Sequence, residues 1–266
     1  VSHDDALRAA DVQFARDGHD FALRQHLGAF LLVGSHAYGT ATAESDHDYF
    51  AVIVPPVRHL LGLGRFEGWE PGKDAELRDT KGYSIEKFVR LALAGNPNVI
   101  EMLFLPEPCY LDVSPSFQLL LDHRDAFLSR KVFGKFSSYA AGQLKKMEQG
   151  KKERHMGHRR MEVVQRCGYD PKDASRCIHL LFMGHEIATR GIVNPRLTWG
   201  GYGHEVVMAI KAGVGLWSLP VLKEYAALLA ESNEKMFHTH CPLPAEPNTA
   251  LVEDLLITIH RHQVTK

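Results

Sequence analysis

Two apolar runs, Ala29-Phe30-Leu31-Leu32-Val33 and Phe50-Ala51-Val52-Ile53-Val54, bracket sixteen residues of a different kind, G-S-H-A-Y-G-T-A-T-A-E-S-D-H-D-Y from Gly34 to Tyr49. Short continuous apolar runs bounded by turn residues read as buried strands. The order therefore predicts a strand, a Gly-Ser turn, a short helix, and a second strand opening with Asp-x-Asp. Gly34 allows the backbone to approach a ligand closely, and Ser35 adds a hydroxyl beside the amides of a helix N-terminus, which attract phosphate. Asp46 and Asp48, two apart on a strand, would leave the same face with backbones about 7 Å apart. Paired carboxylates beside a phosphate site suit a divalent metal and metal-assisted phosphoryl transfer. A lone G-S or a lone D-x-D carries little information. Together, with eleven residues from Ser35 to Asp46 and apolar runs on both sides, they are far more specific.

A two-metal site rarely rests on two carboxylates, so a third is expected from a neighbouring strand. The Ala75–Tyr83 segment alternates loosely and supplies Asp79, just before Gly82 and a helical pattern through Ile85, Phe88, Val89, Leu91 and Ala92. Glu76 is the rival, but three residues away on a strand it faces the other way. Ser84 with Lys87 three residues on forms an imperfect cap for that helix. Asn96-Pro97-Asn98 turns the chain into a further apolar helix, Val99 to Leu105. The Gly/Pro-rich passage over Gly62, Gly64, Gly68, Pro71 and Gly72 reads as loop or hairpin.

Beyond about Leu120 strand signals nearly vanish. Helical patterns cover 126–150, 157–167, 173–190, 219–237 and 250–262. An α+β architecture follows, with residues 1–120 as a catalytic domain of mixed sheet and helices and 121–266 as a mainly helical substrate-binding domain. A hydrophobic share of 45% with 24% charged residues excludes disordered and collagen-like classes. No apolar run is long enough to span a bilayer, and the start Val-Ser-His-Asp-Asp is acidic rather than a basic signal region. The sequence opens on Val rather than Met, which is compatible with a trimmed start or a non-ATG start codon. Four cysteines without C-x-x-C spacing fit reduced thiols, and the expected compartment is the cytoplasm.

The formal net charge of −1 hides an uneven distribution. Between Arg130 and Arg160 there are ten Lys and Arg, among them Lys145, Lys146, Lys151 and Lys152, opposed only by Glu148 and Glu153. Such a run is either a solvated helix face or a surface for polyanions, NTP or a nucleic acid acceptor. Sixteen histidines invite metal-site readings. His155 and His158 lie among cations that repel a metal, His238-x-His240-Cys241 is a half-site without a second half, and His185-Glu186 lacks the second His of a zinc-protease helix. Tyr38 and Tyr49 read as packing residues near the turn.

The Gly34–Tyr49 stretch resembles the G-S-x-A-Y-G…S-D-x-D signature of the DNA polymerase β-like nucleotidyltransferase superfamily. Its branch is similar to predicted nucleotidyltransferases linked to RNA ligases in RNA repair. Asp79-Thr80-Lys81-Gly82-Tyr83-Ser84-Ile85-Glu86-Lys87-Phe88 resembles that branch's segment with the third acidic residue. Leu91-Ala92-Leu93-Ala94-Gly95-Asn96-Pro97-Asn98-Val99-Ile100-Glu101 resembles its Gly-Asn-Pro-Asn junction, and Gly168-Tyr169-Asp170-Pro171-Lys172 its Gly-Tyr-Asp-x-Lys element. The resemblance implies that Gly34 and Ser35 hold triphosphate and that Asp46, Asp48 and Asp79 are the catalytic, metal-binding carboxylates. The ion implied is Mg²⁺, with Mn²⁺ as an alternative. Lys172 would reach the phosphates from the helical half, with Arg176 in the same nucleotide-binding role. The branch has a His and then an Arg after that lysine, whereas Arg176 and His179 stand here in the reverse order. The expected partners are NTP and an RNA acceptor, with no membrane; a protein or small-molecule acceptor, or a catalytically silent regulator, are the rival readings. Oligomeric state and the residues beyond about 196, including Trp199-Gly200-Gly201-Tyr202-Gly203-His204, are not read by the resemblance.

Overall fold

The computed structural model describes residues 26–43, 45–73, 79–148, 158–215 and 217–264. The apolar runs form the expected strands, β1 (Leu27–Val33) and β2 (Asp48–Ile53), joined through a five-residue helix α1 (Gly34–Tyr38). Strand β2 opens at Asp48 rather than Asp46, which lies in the extended approach to it. After α2 (Val57–Leu61), the Gly/Pro-rich passage contributes β3 (Gly68–Lys73), which pairs antiparallel with β4 (Asp79–Ser84). Its register shifts between Trp69 and Gly72, where Pro71 cannot donate to the ladder; as the edge strand β3 tolerates this. Four residues from Tyr110 to Val113 form β5, a strand the sequence pattern does not announce. Its pairing with β1 makes it a strand, since so short a segment has no alternation to read. The five-stranded mixed sheet runs β3-β4-β2-β1-β5, with β2 and β4 parallel and the other pairs antiparallel.

Helix α3 (Ile85–Leu93) begins where Ser84 predicts: its Oγ accepts the Lys87 amide at 3.2 Å. Its apolar face, with Ile85, Phe88, Val89 and Ala92 buried, meets α5 (Pro115–Asp122) through an edge-to-face contact of Phe88 and Phe117 at 5.4 Å. Between them α4 (Pro97–Leu103) starts on Pro97, whose missing N–H costs nothing at a helix start.

The helical part contains α6 (Arg130–Glu148), α7 (His158–Cys167), α8 (Pro171–Arg190), α9 (Tyr202–Ala212) and α10 (Leu219–His240), and α11 (Thr249–Val264) follows. Helix α9 was not expected, because its glycine-rich first turn masks the apolar spacing of Val206, Val207 and Ile210. Helix α8 is the axis of this part. Cys177 Sγ donates to the Ala140 carbonyl of α6, and Asn233 of α10 donates to the Leu181 carbonyl at 2.8 Å. Phe133 of α6 stacks on Phe237 of α10 at 4.2 Å. The four cysteines are thiols, and burial pushes that of Cys177 up to about 12.

The chain divides into two compact units, but not at residue 120. The first is Val1–Ala94, Asn98–Phe127 and Pro247–Lys266; the second is Gly95–Pro97 and Leu128–Glu246. Phe117 and Phe127 are fully buried, which keeps the chain with the sheet as far as Phe127. The last helix, assigned by sequence to the helical domain, returns to the first unit. There the Asn248 amide donates to Ala126 O at 2.8 Å, His260 meets Glu86 at 2.8 Å, and Gln263 reaches His26 at 3.0 Å.

Candidate active site

The site is assembled around the end of β1. Val33 pairs with Asp48 of β2, and Asp48 pairs in parallel register with Asp79 of β4, so the three positions form one row across the sheet. Neighbouring strands lie about 4.8 Å apart, so the backbone of the third acidic position is one strand spacing from Asp48. The Asp79 side chain and the rival Glu76 lie outside the described residues.

Gly34, next to Val33, turns with φ +69°, a conformation that L side chains rarely adopt. A Cβ built on it would sit 2.5 Å from Asp48 Oδ2. The carboxylate thus occupies the space that only glycine leaves, and the two halves of the motif are in direct contact. Ser35 follows in the first turn of α1, and its carbonyl accepts the Thr40 amide at 2.9 Å as the helix closes on left-handed Gly39. Asp46 and Asp48 are both half-buried.

On the opposite side of β2, Tyr49 stacks on Phe30 at 5.2 Å and on His47 at 6.3 Å, and His47 stacks on His36 at 4.2 Å. This ladder of parallel rings braces the loop from behind. Tyr38 donates to Glu101 Oε2 at 2.6 Å, and Glu101 is only 1% exposed. The bond ties the helix after Gly34-Ser35 to the helix after Gly95-Asn96-Pro97-Asn98, 63 residues on. Tyr38 is the packing residue that sequence suggested. In the sequence Glu101 is only the end of the Gly-Asn-Pro-Asn segment, and nothing local reveals that it is Tyr38's partner.

In the second unit Asp170 caps α8 by accepting the Lys172 amide at 3.0 Å, which leaves the exposed Lys172 in the first turn. Arg176, half-buried, donates to His179 Nδ1 at 3.4 Å, and His179 Nε2–H donates to the Pro195 carbonyl at 2.8 Å. Both ring nitrogens are engaged by a neutral imidazole. His179 therefore latches the 191–198 segment to α8, and the reversed Arg-His order keeps only the arginine near the surface. Burial, reinforced by the Arg176 charge and partly opposed by the Pro195 carbonyl, lowers the His179 pKa to about 3. Below the ordinary value of about 6.5 the unfolded chain binds a proton that the folded chain refuses, so stability declines as pH falls, by up to about 1.4 kcal/mol per pH unit. Thermal melts from pH 6.5 to 5 are expected to show this decline, and His179→Gln should flatten it. Equal slopes in both proteins would refute the latch.

Among the described residues no group of three His, Cys, Asp or Glu side chains is gathered for a metal. His238 pairs with Glu234 at 3.6 Å, and Cys241 turns inward to the Ile187 carbonyl, so the His238-x-His240-Cys241 half-site is not completed there. His185 bonds Asn233 at 3.2 Å, an ordinary helix contact. His155 lies outside the described residues, as does the side chain of His158. No helix among the described residues is long and apolar enough to cross a membrane.

Charge separates with the units. Leu128–Glu246 carries 18 Lys and Arg against 11 Asp and Glu, a formal +7; with Gly95–Pro97 uncharged, the first unit carries 13 against 21, a formal −8. A near-neutral chain is thus an acidic unit bearing the carboxylates joined to a basic one.

A family model described as the RNA repair pathway DNA polymerase beta family matches residues 30–187. The chain belongs to this family. The match takes in most of β1, the Gly34-Ser35 turn, Asp46, Asp48 and Asp79, the Gly95–Asn98 junction and most of α8, so the nucleotidyltransferase family and the α+β fold stand together. An uncharacterized 38.9 kDa protein in the nrdC-mobD intergenic region of Enterobacteria phage T4 is 32% identical over 108 residues, covering 37% of this chain. The match spans about a third of that relative's length. A nucleotidyltransferase-like protein from Exiguobacterium sibiricum 255-15 superposes with a TM-score of 0.31 at 10% identity, over 100% of this chain and 76% of that one.

Proposed function

We propose that this family member transfers a nucleoside monophosphate from an NTP to the hydroxyl of an RNA end. The observation that carries the reading is the contact of Gly34 with Asp48: a turn stripped of its Cβ so that a carboxylate can share the ground where a triphosphate would lie. A cradle of this kind fits a divalent cation, and Asp46, Asp48 and Asp79 would hold it. When bound, Mg²⁺ would neutralise charge on the acceptor oxygen and on the leaving pyrophosphate. The chain's own part is positioning. Gly34 and Ser35 offer the turn to the β- and γ-phosphates, and Asp79 receives the proton of the acceptor hydroxyl. That oxygen bonds to the α-phosphorus as the bond to the β-phosphate bridge breaks. Lys172 and Arg176 are the phosphate ligands of the basic unit.

The RNA acceptor is supported by the +7 charge of the second unit and by exposed Lys145 and Lys146 at the end of α6. Lys151 and Lys152 lie outside the described residues. Incubation with α-labelled NTPs, with and without Mg²⁺, against total RNA, protein lysate and aminoglycosides tests the reading. Mg²⁺-dependent label in RNA is expected. Label in protein or aminoglycoside overturns the acceptor, and no label anywhere overturns the enzyme in favour of a silent nucleotide binder. Replacing Lys145 and Lys146 with glutamine should lower the slope of log affinity against log salt by about 1.4, at about 0.7 per phosphate contact on a single strand. An unchanged slope would make α6 an ordinary solvated face.

A further inference from the structure

The Trp199–His204 segment, which has no part in the proposed transfer chemistry, presents aromatic surface to solvent. Trp199 is 80% exposed and Tyr202, at the start of α9, is 67% exposed. A single exposed apolar residue is ordinary, but neighbouring exposed aromatic rings mark an interaction surface. Both rings are held in place from within the second unit. The imidazole of His204 lies against the indole at 4.5 Å, while Phe182 meets Tyr202 edge-on at 6.3 Å and the Tyr202 hydroxyl bonds that of Tyr225 at 3.0 Å. Such support reduces the ordering cost of binding. Gly200 and Gly201 separate the two aromatic residues in sequence, and a Cβ on Gly200 would meet nothing within 4 Å.

A second observation points to a ligand. His204 is 6% exposed, and its Nε2 is buried without a hydrogen-bond partner. Buried polar atoms are almost always paired, and this one belongs to the ring that supports the exposed indole.

We infer that Trp199 and Tyr202 form a stacking platform for an unstacked base of single-stranded RNA, the acceptor strand of the proposed reaction. The inference rests on the RNA-acceptor reading and sharpens it by assigning the bases to this face and the phosphates to the lysines. Charge decides for nucleic acid over a protein partner. The platform belongs to the +7 unit, Arg196 is exposed three residues before Trp199, and the exposed apolar groups of this segment are flat rings rather than the aliphatic side chains of a protein interface core.

Anisotropy titration of a 5′-fluorescein single-stranded RNA 12-mer, with a duplex of equal length as control, tests this in the full chain. Trp199→Ala is expected to weaken single-strand binding about 5- to 150-fold, the range for loss of one base stack, with the salt slope unchanged. Trp199→Phe should restore affinity to within about threefold, since a smaller ring still stacks. Duplex binding should be equal in all three, because its bases are already stacked. Equal single-strand binding by wild type and Trp199→Ala overturns the platform alone. Absence of RNA binding by the wild-type chain overturns the acceptor reading, and the platform with it. A change of sedimentation from dimer to monomer in Trp199→Ala, with RNA binding intact, overturns the platform in favour of a protein interface.

Discussion

Replacing Asp46 and Asp48 together with alanine is expected to reduce nucleotidyl transfer by at least about 10³-fold while the fold persists. Charge stabilisation in a phosphoryl-transfer transition state supplies several kcal/mol, and about 1.4 kcal/mol corresponds to each tenfold in rate. The two side chains are half-buried at the mouth of β2, outside the apolar rows that hold the sheet, and their removal leaves no large cavity. Stability within about 1 kcal/mol of wild type is therefore expected from denaturant melts. Label transfer by the double variant at a rate near wild type would sink the assignment of these carboxylates.

Gly34→Ala is the second large effect. The left-handed φ of +69° costs an alanine about 1–2 kcal/mol, and the new Cβ falls 2.5 Å from Asp48 Oδ2, so the carboxylate must move. A shift of about 1 Å in a catalytic group costs about 10²-fold, and that is the loss expected in kcat, with nucleotide affinity weakened as well. Gly168→Ala is the matched control. It carries the same strain at φ +75° but meets nothing within 4 Å. It should lose comparable stability and retain its rate, measured by the same melts and the same label assay. Equal rate losses in the two variants would mean that backbone strain, rather than displacement of Asp48, accounts for the effect.

Both experiments rely on residues legible in the sequence itself. Gly34 and Asp48 could be picked out because a turn flanked by two apolar runs limits what lies between them. The cap at Ser84, the helix that follows Gly95-Asn96 (read from Val99, formed from Pro97) and helix α8 were readable for the same reason, as each is governed by contacts within a turn or two of backbone. Helix α9 escaped because Gly201 and Gly203 dilute the apolar signal of its first turn. Strand β5 escaped because four residues cannot display a period. The reversed Arg176-His179 order was visible in sequence, but its meaning was not. Only burial against the Pro195 carbonyl turns His179 from a possible acceptor contact into a latch.

The local chemistry of the site belongs to the sequence: a glycine turn, a serine after it, and acidic residues at spacings that strands convert into neighbours. Tertiary structure alone decided which distant segments complete it. The parallel register that sets Asp79 beside Asp48 and the bond from Tyr38 to Glu101 are pairings across 31 and 63 residues. The return of α11 to the first unit is another, reaching from Gln263 to His26 across 237. The reason is physical. Periodicity tells that a face will be buried and capping tells where a helix begins. Which partner covers that face depends on the packing of the whole chain, because many apolar faces could cover one another and only one set fills space with its polar groups satisfied.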